Sequence, residues 1–190
     1  MSRPALFVRC ALWLWFIAAI FGGYFLVLQR ISPPAVQLVI PGLTALVLYV
    51  YFRLPGLRDW VDRLDSRALV QIHLTRFVGI YLLVLFNRGD LPYSFAVPAG
   101  IGDIVVAVLA LGLIAIPMNA ARLRSFLTIW NVIGFFDILL VVASAIRLNL
   151  DDPAQLRALT HLPLSLLPLF LVPLLIATHI MIFARLLRRR

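Results

Sequence analysis

Six apolar runs, at 11–28, 35–52, 69–86, 95–116, 126–146 and 162–184, dominate the sequence, each bounded by Arg, Asp, Asn or Pro. Their lengths suit a bilayer: an α-helix rising about 1.5 Å per residue needs about 20 apolar residues to cross roughly 30 Å of hydrocarbon. Charged residues make up 13% of the chain, about half the usual share, so too little polar surface remains to clothe a water-soluble globule. The expected fold class is all-α, a polytopic membrane bundle of six transmembrane helices forming one domain over 1–190. The first run follows Arg3 and Arg9 but exceeds a signal-peptide core, and no small-x-small cleavage site comes after it, so it reads as a retained span.

All seventeen basic residues are Arg and all eight acidic residues are Asp. Without Lys there is no Schiff-base chemistry, which excludes retinal or pyridoxal attachment. Cys10 alone forms neither an internal disulfide nor a cysteine metal site. The arginines are scattered among helix-flanking loops, so nucleic acid is not an expected partner. With the N-terminus inside, the inner segments carry Arg3, Arg9, Arg53, Arg58, Arg63, Arg67, Arg122, Arg124, Arg185, Arg188, Arg189 and Arg190, against Arg30, Arg88, Arg147 and Arg157 outside. Twelve against four, alternating at every crossing, predicts an even number of spans with both termini cytoplasmic. Anionic lipid headgroups are the natural partners of such arginines. The Arg-only basic set, which fits a GC-rich coding sequence, and the lack of a targeting segment point to a bacterial inner membrane.

The loop at 53–68 sets Leu57, Trp60, Val61 and Leu64 on one helical face, with Arg58/Asp62 and Asp59/Arg63 on the other, and predicts an interfacial helix over about 57–67. Asp151-Asp152-Pro153-Ala154-Gln155 has the parts of a capping box and predicts a further short helix. Pro41-Gly42 in the second run, and Pro168 and Pro173 in the sixth, predict kinks or unwound turns. Trp13, Trp15, Trp60 and Trp130 read as interface anchors.

Arg76 is the one arginine that topology does not explain. It lies inside the third run, while Asp103 and Asp137 lie inside the fourth and fifth. An ionisable group at mid-bilayer costs about 2.5–3.5 kcal/mol even on the insertion scale, so these three are expected to face one another, with Asn131, His73 and His179 around them. Small-residue stripes, Ala96, Ala99/Gly100, Asp103, Ala107 and Ala110 on one helix and Asn131, Gly134, Asp137, Val141 and Ser144 on the next, mark close helix contacts. One Arg against two Asp leaves a net negative cluster that a proton or cation completes. The leading reading is a small permease-like or proton- or cation-coupled membrane protein, homodimeric if it transports, moving a small ion or solute and not expected to be an enzyme. The alternative is a non-catalytic membrane subunit or scaffold, with the same polar groups specifying helix packing.

Two further readings concern the same residues. Gly100-Ile101-Gly102-Asp103 resembles the G-x-G-D element of intramembrane aspartyl proteases, which implies two aspartates, here Asp103 and Asp137, sharing a proton and activating water. In those families the partner Asp precedes the element, whereas Asp137 follows it, and Phe136 replaces the Tyr often found before the partner. His73 and His179, at similar depth, are candidate axial ligands for a b-type haem.

Overall fold

The computed structural model describes residues 3–188. Arg189 and Arg190, read above as part of a C-terminal lipid contact, lie outside the described residues. The described chain is helical with no strand, and six helices are long and apolar enough to cross a membrane: Pro4–Tyr24, Pro34–Arg53, Ser66–Asn87, Tyr93–Ala115, Ala120–Asp151 and Leu167–Arg188, numbered one to six. Their boundaries differ from the apolar runs where a local signal overrides hydropathy. Helix one ends at Tyr24 because the chain turns at Phe25 and Leu26, the latter at φ 51°. Helix five starts after Asn119, whose side chain accepts from Arg122 N at 2.9 Å. It then outruns its apolar core to Asp151, stopping only where Pro153 forces Asp152 into an extended conformation.

The chain divides into two compact units. The first holds the residues up to Leu64 together with Leu156–Ala177. Its prolines act where the sequence implies. Pro41 has no N–H for the carbonyl of Gln37, and helix two is interrupted at Leu38, between the segments Pro33–Gln37 and Val39–Arg53. In helix six Pro173 likewise leaves the Leu169 carbonyl without its α-helical donor, and the preceding turn, Leu167–Leu171, widens into a π-helix. Trp15 Nε1 of helix one donates to that carbonyl at 2.9 Å, with its ring edge-on to Phe170. The helix between spans two and three covers Pro55–Arg63, shorter at its end than the sequence implies because Asp65 turns to accept from Arg67 N and starts helix three. Val61 is buried, Leu57, Trp60 and Leu64 are half-buried, and Asp62 accepts from Tyr51 Oη at 3.3 Å.

The second unit comprises Asp65–Gln155 and the chain from Thr178 on. Its core joins Val70, Val106, Ala110, Leu113, Leu127, Trp130 and Ile182. Trp130 is therefore no interface anchor: it is 3% exposed and donates through Nε1 to Val106 O at 3.0 Å. Helix three is α-helical over Ser66–Gln71 and Gly79–Asn87 but wound as a 3-10 helix over Ile72–Val78. At three residues per turn, positions three apart lie directly above one another, whereas in an α-helix they drift by about 60° per step. The 3-10 stretch thus keeps His73, Arg76 and Gly79, all buried, on one line facing the neighbouring helices. On helix four the stripe Ala96, Ala99, Gly100, Ala107 and Ala110 is buried, and a Cβ on Gly79 would strike the carbonyl oxygen of Gly100.

Candidate functional site

Arg76 is fully buried, and its guanidinium binds three partners on two helices. Nε donates to Asp103 Oδ1 of helix four at 2.7 Å, Nη2 donates to Asp137 Oδ2 of helix five, and Nη1 donates to the Gly134 carbonyl at 3.0 Å. Each part of the local sequence serves this geometry. Gly100 lets the backbone of helix three approach at Gly79. Gly102 leaves room for Asp137, whose carboxylate occupies the space a Cβ there would take. Asp103 then faces the guanidinium one residue on. The 3-10 winding directs Arg76 into this gap.

A second polar layer adjoins the first. His73 and His179 are fully buried with ring centroids 4.3 Å apart. Asn131 Nδ2 donates to the His179 carbonyl at 3.2 Å, which orients the amide so that its Oδ1 accepts from His179 Nδ1 at 2.8 Å. His179 Nε2 is then the lone-pair nitrogen, and among the described residues neither it nor His73 Nδ1 has a hydrogen-bond partner. His73 Nε2 meets Thr178 Oγ1 at 3.1 Å, and Trp130 stands edge-on to His73 at 4.9 Å. Gly134 links the layers: its carbonyl accepts from Arg76, and a Cβ on it would lie 2.8 Å from His179 Cε1.

All six residues singled out in the sequence thus lie in the second unit, in two adjoining layers. Sequence reasoning missed Thr178, Trp130 and the Gly134 carbonyl as members. Thr178 and Trp130 are chain neighbours of His179 and Asn131, but nothing in their residue types separates a partner from filler. Two readings are corrected. The histidines do not flank a haem, because trans ligation at metal–nitrogen distances of about 2.1 Å sets imidazole centroids about 6 Å apart, with the porphyrin between. At 4.3 Å and a 53° tilt no porphyrin fits. Nor do Asp103 and Asp137 form a free proton-sharing dyad of the protease kind, since the Arg76 guanidinium occupies one oxygen of each.

What the cluster offers is charge and accessibility. With both carboxylates ionised it carries one excess negative charge. Asp103 Oδ2 and Asp137 Oδ1 are not engaged by Arg76, and the two acidic side chains are 14% and 22% exposed while Arg76 is sealed. A carboxylate pair of this kind accepts a proton or coordinates a small cation.

A family model described as a domain of unknown function (DUF8737) matches residues 33–187. No curated protein and no solved structure matches the chain.

Proposed function

The chain belongs to the DUF8737 family, and we propose that it is a small permease-like membrane protein whose activity is coupled to a proton or monovalent cation at Arg76, Asp103 and Asp137. The observation that carries this reading is the asymmetry of the cluster: a sealed guanidinium holds two carboxylates, each with one oxygen left over and part of its side chain accessible. Arg76 keeps the site from being doubly negative when empty, so one bound positive charge completes neutrality. His73 and His179, the latter oriented by Asn131, form the adjoining polar layer and offer a second pair of basic nitrogens beside the cluster. In this proposal the protein sits in a bacterial inner membrane; the arginine asymmetry supports both termini being cytoplasmic, with anionic lipid around them. A homodimer is the transporting assembly in this proposal, since six helices are few for a complete pathway.

The second reading, a scaffold locked by the same residues, is favoured by the three hydrogen bonds of Arg76, which tie helix three to helices four and five. Proteoliposomes separate the two. With a panel of small solutes supplied outside and an imposed pH or sodium gradient, the wild type is expected to take up a solute at least about tenfold faster than Asp137→Asn. Equal rates, with both proteins folded, favour the scaffold.

A further inference from the structure

A cavity of about 310 Å³ opens in the second unit where helices three and five begin and helix six ends. Its polar end is Ser66, Arg124 and Arg185; its wall includes Leu69, Leu127 and Ile182, and among the described residues that line it none is acidic. Arg185 is 7% exposed, so its guanidinium is held among the helices and does not extend into solvent. Arg124 Nη2 donates to the Leu186 carbonyl at 3.0 Å, which fixes its guanidinium at the rim. A guanidinium has five N–H donors, so contacts within the chain do not exhaust its capacity for a further acceptor. Two arginines converging on one cavity match the several acceptor oxygens of a tetrahedral anion, which a guanidinium grips in bidentate fashion.

We propose that this cavity binds a phosphate group, its oxygens held by Arg124, Arg185 and the Ser66 hydroxyl. The apolar wall suits the chain of a phospholipid whose headgroup carries that phosphate, and Leu127 and Ile182 connect the wall to the buried core beside Trp130. Basic pockets between transmembrane helices take anionic headgroups in this way. Free phosphate offers the same group without the chain.

The test uses the full-length protein in detergent, titrated with phosphatidylglycerol, diacylglycerol or inorganic phosphate, with thermal stability and lipid retention in native mass spectrometry as readouts. Saturable stabilisation by phosphatidylglycerol alone identifies a lipid headgroup. Stabilisation by inorganic phosphate, with competition between the two, identifies free phosphate. In either case Arg124→Gln and Arg185→Gln are expected to weaken binding about tenfold each, and Ser66→Asp, a change at a helix end that leaves the core intact, to abolish it. No saturable binding by either probe, or binding unchanged in Ser66→Asp and in whichever arginine variant folds, overturns the proposal, as does equal retention of phosphate-free diacylglycerol.

Discussion

Arg76→Met is expected to lower the unfolding free energy by about 3–5 kcal/mol, as measured by denaturant titration in bicelles. The loss is not that of one ion pair. Removing the guanidinium leaves two carboxylates close together inside a helical bundle with no cation to bridge them, and it strips the Gly134 carbonyl of its extra donor. Arg76→Lys is expected to recover little, because a single ammonium on a flexible stem cannot present the three separate nitrogens that reach Asp103, Asp137 and Gly134. The triple variant Arg76→Met, Asp103→Leu, Asp137→Leu is expected to be more stable than Arg76→Met alone, because no buried charge remains uncompensated. If Arg76→Met unfolds like the wild type, the cluster is neither a lock nor a charge-balanced site.

Gly100→Ala is expected to cost about 3 kcal/mol, with Gly42→Ala as its contrast. A Cβ on Gly100 would lie 2.8 Å from the Gly79 carbonyl oxygen and 2.9 Å from Leu83, and the carbonyl belongs to a backbone that cannot rotate aside. Helices three and four would have to separate, withdrawing Arg76 from Asp103 as they did. At Gly42 a Cβ meets nothing within 4 Å, so the same substitution is expected to be neutral or to gain up to about 1 kcal/mol from reduced backbone freedom. Thermal unfolding of the two variants side by side measures the difference. Equal stability would mean that the Gly79–Gly100 approach does not hold the helices in register.

Much of this arrangement is legible in the letters. The apolar runs give the number of helices, and the cost of burying charge brings Arg76, Asp103 and Asp137 together before any coordinates are consulted. Pro41 and Pro173 identify the backbone carbonyls that lose their donors, although not that Trp15 supplies one of them. What stays hidden is finer than a hydropathy average. The change from α to 3-10 winding at Ile72–Val78 alters the face on which Arg76 lies without altering the hydrophobicity of helix three. It also changes position along the helix: helix three begins at Ser66, before its apolar run, and rises faster through the 3-10 stretch, so α-helical counting from Leu69 misplaces Arg76. Trp130 departs from the sequence expectation for a related reason: an amphipathic ring suits an interface, but its N–H suits a buried carbonyl equally, and only packing decides. Helix five runs beyond its apolar core because hydropathy reports the part suited to hydrocarbon, whereas the helix itself continues to the next breaker, Pro153.

The central claim is that the Arg76 cluster binds one positive charge. Infrared difference spectroscopy of the purified protein during a pH titration reads this directly through the carbonyl stretch of a protonated carboxyl group. The account predicts one carboxyl band, present in the wild type and absent from both Asp103→Asn and Asp137→Asn, that appears as pH falls and is suppressed at a given pH by a competing monovalent cation. A spectrum with no such band over the whole range in which the protein stays folded, and no cation dependence, would contradict it and leave Arg76, Asp103 and Asp137 as a static lock.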